Sequence, residues 1–380
     1  MSQFNETKLT FQDPIFGEMF YYNKNQFDPT LPKINKICSR PFTSVEICQN
    51  GEVIVCCFDW LPVHLGNIMK NTLEEIWNGC KASALKKSIL DGSYRYCNRE
   101  TCHYLIAESI GKSMLYEKND FTHYNLKFPS QIVFSVDPSC NLYCPSCRVN
   151  ELRRLDTERH NKAKKIIKSV LDQITDNSHN QPIQIVLDGC GEIFHSAIYR
   201  EIFETEHLFS NLQLWPNITF QFKTNGVMMT EKIQKKYSHL FQRMESIIIS
   251  IDAGNKASYD KVRLGGNWDI LWKNLNYMYD SLLLQPTSLP SRSWVWQLVL
   301  QEDNYESIPE LIWMAKKYKE CLPRVILSPL LNWGTFTHEE FDIKAVWQPK
   351  SDKYKHLLEI LNLPEVKDYP NLESPIKYID

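Results

Sequence analysis

From residue 130 onward the chain alternates short apolar runs with amphipathic ones, and this alternation constrains its fold more than any other feature. Strands are predicted at Ile132–Asp137, Ile183–Asp188, Ile218–Lys223, Ser246–Asp252, Trp294–Leu300 and Val325–Ser328. Between the first two, Ala163, Ile166, Ile167, Val170, Leu171 and Ile174 recur at the spacing of a helix with one buried face. Helical patterns also cover Thr230–Met244, Trp268–Leu283 and Ser307–Cys321. Parallel strands need crossover helices, so repeated strand–helix units predict an α/β fold built on a parallel sheet. An open sheet and a partial barrel share this periodicity. In both, sites gather at the carboxyl ends of the strands.

Four successive strand ends carry residues suited to a site. The first runs into DPSCNLYCPSC, the second into DGCGE, the third into KTNG and the fourth into SIDAG, with Arg263 shortly after. One polar tail would be an ordinary loop. Four on one predicted edge point to a shared site.

The chain has 380 residues, enough for a large domain and a smaller one. Charged residues make up 23% and the net charge is -2, so no basic nucleic-acid surface is indicated. No apolar run approaches the roughly 18 residues of a membrane span. The start, MSQFNETKLTFQDP, does not read as a secretion signal, so a cytoplasmic protein is expected.

In a reducing compartment, twelve cysteines suggest metal binding or redox chemistry rather than disulfides. Cys140, Cys144 and Cys147 follow the first strand with spacing C-x3-C-x2-C. Three thiolates leave a four-coordinate site or a four-iron cluster one ligand short. Seven others lie between Cys38 and Cys102. There "QNGEVIVCC" reads as a turn at Asn50-Gly51 entering a strand, a hairpin signal. Cys38, Cys56, Cys97 and Cys102 make a four-thiolate set, for structural zinc or an iron–sulfur cluster. Cys48, Cys57 and Cys80 read as small buried residues. The expected organisation is an N-terminal extension (1–36), a cysteine-rich domain (37–107), a linker (108–128), the strand–helix core (129–330) and a C-terminal cap (331–380).

The triplet Cys140-x3-Cys144-x2-Cys147 resembles the signature of the radical S-adenosylmethionine superfamily. Gly189, Gly191 and Glu192 in "DGCGE" resemble its Gly-Gly-Glu segment, which binds the methionine amino group. "TNG" (with Thr224 and Asn225), "SID" (with Ser250 and Asp252) and Arg263 resemble its ribose- and carboxylate-binding elements. The Cys-x12-Gly-x4-Cys stretch from Cys38 to Cys56, with Cys97 and Cys102, is similar to a SPASM or shorter twitch domain. Three features depart from the usual pattern. Ser146 stands before the third cysteine where an aromatic residue is typical, Cys190 interrupts the glycine pair, and the SPASM-like part precedes the core.

The resemblance implies a partial (β/α)6 barrel preceded by a small auxiliary domain. It implies a catalytic [4Fe-4S] cluster on Cys140, Cys144 and Cys147, whose fourth position S-adenosylmethionine fills. Reductive cleavage would give a 5′-deoxyadenosyl radical that abstracts a hydrogen atom. A second [4Fe-4S] cluster would sit on Cys38, Cys56, Cys97 and Cys102, and a flavodoxin or ferredoxin would supply electrons. An auxiliary cluster can take up a second electron, so an oxidoreductase-type modification of a peptide or carbohydrate-type substrate is favoured. No nucleic-acid or membrane partner is expected. Epimerisation or peptide maturation without net oxidation is the alternative within the superfamily. Outside catalysis, the chain could be a metal-binding scaffold or an electron carrier. Cys190 could return a hydrogen atom to the substrate or simply fill a tight turn.

Overall fold

The structure is a computed structural model that describes residues 9–21, 31–58, 60–99, 101–109, 115–122, 124–187, 190–284 and 292–374. Gly189, one of the expected cofactor-binding residues, lies outside them, as does Asp188 at the predicted end of the second core strand.

The strands are β1 (Leu9–Asp13), β2 (Gly17–Tyr21), β3 (Lys36–Ile37), β4 (Ser44–Cys48), β5 (Glu52–Ile54), β6 (Gly66–Asn67), β7 (Tyr116–Glu117), β8 (Gln131–Ser135), β9 (Ile183–Leu187), β10 (Ile218–Thr224), β11 (Met244–Ser250), β12 (Ser293–Leu300), β13 (Arg324–Pro329) and β14 (Leu372–Glu373). A ten-stranded sheet runs β6-β5-β4-β8-β9-β10-β11-β12-β13-β14. From β4 through β8 to β14 every pairing is parallel, while β4, β5 and β6 pair antiparallel. All six predicted core strands are present with ends shifted by a residue or two.

From β8 to β14 neighbours in space are neighbours in sequence. Right-handed crossovers without a reversal of order place their helices on one face of the sheet. Helix Thr157–Ser178, between β8 and β9, shows what holds them there. Asp156 caps it by accepting from the Arg159 N–H at 2.9 Å. All six residues of its predicted stripe are buried, in the same core as Ile132, Phe134, Ile185 and Phe220 of the sheet.

The other face is different. Parallel sheets are usually apolar on both sides, yet β10 alternates buried Ile218, Phe220 and Phe222 with half-buried Thr219, Gln221 and Lys223. Polar side chains bridge the strands on that face. Ser44 Oγ donates to Gln131 at 2.9 Å, Gln131 to Gln184 at 2.8 Å, Ser246 to Gln221 at 2.9 Å and Gln297 to Ser328 at 3.0 Å. This face therefore carries polar side chains bonded to one another across the strands.

The expected hairpin forms at Asn50-Gly51, where Gly51 takes φ +85 in the left-handed region that favours glycine. Its first strand, β4, pairs along its length with β8, so the cysteine-rich segment and the core share one sheet. The segment expected as a linker contributes β7, which pairs with β3, and the C-terminal segment supplies β14.

Candidate functional site

The loop after β8 carries the cysteine triplet, and each thiol meets its own donor. Cys140 accepts from the Leu142 N–H at 3.4 Å and faces the Asn225 amide at 3.9 Å. Cys144 accepts from Arg263 at 3.6 Å, and Cys147 from Arg148 at 3.6 Å. Cys140 and Cys144 are buried while Cys147 is exposed. Burial pushes the Cys140 thiol up to about 11. It raises Cys144 as well, against the pull of Arg263. Bound iron reverses this preference, because a coordinating thiol is deprotonated outright.

Glu192, on the loop after β9, is buried and accepts three hydrogen bonds. Thr224 Oγ1 donates at 2.7 Å and the Phe194 N–H at 3.2 Å to one oxygen, and the Asn225 N–H at 2.7 Å to the other. Burial raises its pKa, opposed by these donors and by Arg263. The second oxygen takes one bond only, and a carboxylate oxygen has two lone pairs. Gly191 is required for packing. A Cβ there would stand 2.2 Å from the Ser139 carbonyl oxygen and 2.5 Å from that of Asp137.

The tail of β11 closes the arrangement. Asp252 sits at φ +57, uncommon for a residue with a side chain. It accepts from the Val299 N–H at 2.8 Å and pairs with Arg263 at 2.9 Å. Arg263 also donates to the Ser250 carbonyl at 2.6 Å. The structure thus brings together Cys140, Cys144, Glu192, Thr224, Asn225, Ser250, Asp252 and Arg263. Arg263 is committed to a carboxylate and a thiol of this chain.

Cys190 stands apart from these. Its thiol lies 3.6 Å from the Ser135 carbonyl, accepts from Gln49 at 3.3 Å and interacts electrostatically with Cys48. Burial pushes it up to about 12. Arg148, which sequence reasoning missed, ties this corner together by donating to the Pro138 carbonyl at 2.7 Å and the Cys190 carbonyl at 3.0 Å. Its position directly after Cys147 was the available signal. Asn141 was missed too, although its side-chain oxygen accepts from Asn225 at 2.9 Å.

The second cysteine group lies in the cysteine-rich segment, where Cys38, Cys97 and Cys102 pack in a small core with Ile37, Phe42, Ile89 and Tyr94. Cys97 feels the charges of Cys38, Cys56 and Cys102, so all four predicted thiols share one neighbourhood. The Tyr94 hydroxyl anchors the chain on either side of Ile37, accepting from the Cys38 N–H at 2.9 Å and donating to the Lys36 carbonyl at 2.8 Å. Burial pushes Cys38 up to about 11 and Cys56 up to about 12. Among the described residues, no three His, Cys, Asp or Glu side chains are grouped to hold a single metal ion. A four-iron cluster places its thiolates on separate irons instead. The donor chemistry fits such a cluster at both sites: soft thiols only, three at one and four at the other.

Residues 38–103 match the family model SPASM, described as an iron-sulfur cluster-binding domain, which bears out the SPASM-type part of the resemblance. The chain is also similar to a solved structure of TYW1 with a lysine-pyruvate adduct bound. That likeness has 14% identity and a TM-score of 0.32, covering 59% of this chain and 70% of that one. No curated protein matches. No helix among the described residues is long and apolar enough to cross a membrane.

Proposed function

We propose that this chain is a radical S-adenosylmethionine enzyme with a partial-barrel core and a SPASM-type auxiliary domain. Cys140, Cys144 and Cys147 would hold the catalytic [4Fe-4S] cluster, and Cys38, Cys56, Cys97 and Cys102 a second one. When bound, the catalytic cluster and S-adenosylmethionine together supply a hydrogen-abstracting radical. The observation that carries this reading is the convergence of four strand ends on the triplet, with a buried, partly open carboxylate at Glu192.

The roles of this chain's residues follow from their contacts. Arg263, Arg148 and Asn225 offer positive charge or N–H groups to the sulfurs, which favours thiolate over thiol. Glu192 offers its remaining lone pair to an ammonium group, with Thr224 and the Asn225 N–H opposing the upward push of burial on its pKa. Asp252 and Ser250 border the ribose side, and Arg263 acts chiefly by orienting Asp252 and Cys144. Gly191 would belong to the backbone that approaches the methionine, and Gly189 is assigned beside it from the motif alone. Cys190 keeps its proton at neutral pH, as a hydrogen-atom donor must.

The chemistry favoured is a redox modification of a peptide or carbohydrate-type substrate, with electrons from a flavodoxin or ferredoxin in the cytoplasm. The polar face of the sheet, with its amides and hydroxyls, suits a polar substrate. The test is release of 5′-deoxyadenosine from S-adenosylmethionine when anaerobically reconstituted protein is reduced. Release from wild type and none from Cys144→Ala is expected. No release from fully iron-loaded wild type would leave a scaffold or electron carrier instead.

A further inference from the structure

Arg40 belongs to none of the roles above, yet it stands two residues after Cys38 at the start of the short helix Arg40–Thr43. Its guanidinium charge acts on Cys38, Cys56 and Cys102, three of the four thiols in the second group. Tyr104 holds the side chain there by a hydrogen bond, with the guanidinium carbon 5.9 Å from the ring centroid. Arg40 and Tyr104 together line a cavity of about 410 Å³ with Thr43, Ser44, Gln131 and Gln184. That cavity has no carboxylate in its lining, and no ion pair among the described residues involves Arg40. Arg99, by contrast, acts on Cys97 and donates to the carbonyls of Pro32 at 2.8 Å and Ser93 at 2.9 Å.

We propose that Arg40 sets the reduction potential of the auxiliary cluster, holding it high enough to accept an electron. The inference rests on the reading that these four cysteines bind a cluster. Four thiolates give that cluster a net negative charge, and reduction adds one more electron. A cation beside it stabilises the reduced form more than the oxidised form, so net charge near the cluster tunes its potential. The backbone N–H of Arg40, which donates to the Cys38 sulfur, survives side-chain substitution and is not part of this effect.

The experiment is an EPR-monitored redox titration in the full chain, in a Cys140→Ala/Cys144→Ala/Cys147→Ala background that isolates the auxiliary cluster. Arg40→Gln should retain about four irons per chain and shift the midpoint to more negative potential, by more than Arg99→Gln does. Arg40→Lys should stay near the parent. An unmoved midpoint in Arg40→Gln with its iron intact overturns the proposal. So does loss of iron from Arg40→Gln, which would make the guanidinium a folding element. A background that holds zinc or no iron contradicts the cluster reading itself.

Discussion

Arg263 and Asp252 form a pair with only 12% and 7% of their side chains exposed. A buried pair differs from a surface one when a partner is removed, because the other charge stays desolvated. Arg263→Ala should therefore lower unfolding stability of the apo chain by about 3 kcal/mol or more in urea titration. A loss below about 1 kcal/mol would match an exposed pair. Arg263→Lys keeps the charge but not the fork that reaches Asp252, Ser250 and Cys144 together, so a smaller loss is expected. Glu192→Gln tests the other side of the site. Removing its charge should weaken S-adenosylmethionine binding at least tenfold by equilibrium dialysis, about 1.4 kcal/mol. Unchanged affinity would reduce Glu192 to a packing carboxylate. The residue types of this site were legible in the sequence, but their partners were not. Nothing in "GE" and "TNG" reveals that Thr224 and the Asn225 N–H spend their donors on Glu192. That contact spans 32 residues and exists only once β9 and β10 are adjacent.

At the scale of elements, the loop after β8 is held by the loop after β9 through close backbone contact. The Glu192 N–H donates to the Ser139 carbonyl at 2.9 Å, and Gly191 leaves no space for a side chain beside it. Gly191→Ala should cost about 1–3 kcal/mol or more through overpacking, read as a lower apo melting temperature with weaker cofactor binding. Wild-type stability in that variant would mean the two loops are not locked together. The strands and the long helix were legible because their apolar periods of 2 and 3.6 are strong. Met244 was expected in a helix and instead opens β11, because the chain from Glu231 breaks into two short helices at Tyr237. Short helices take their form from packing rather than from a periodic stripe.

The whole molecule is organised by one sheet that the strand–helix core shares with the hairpin of the cysteine-rich segment. Nothing in the apolar pattern announced this, since β4 is only five residues long and joins β8 across more than eighty residues of chain. Many of its thiols are buried, and this predicts how the apo protein responds to pH. Cys48, Cys56 and Cys190 are pushed from an ordinary 9.0 up to about 12, and Cys38 and Cys140 to about 11. Between pH 9 and 11 the unfolded chain has lost these protons while the folded chain still holds them. Stability must then fall as pH rises. The apo melting temperature should drop across that window. Reconstituted protein should drop less, because its ligating cysteines are already thiolates. Equal slopes would place the ligated thiols elsewhere.

The account stands on two separate cluster sites, one with three thiolates and one with four. Iron counted per chain after anaerobic reconstitution tests it most directly, in wild type, Cys144→Ala and Cys97→Ala/Cys102→Ala. The prediction is about eight irons in wild type and about four in each variant. Four irons in wild type with zinc making up the difference, or a count that neither variant changes, would contradict it.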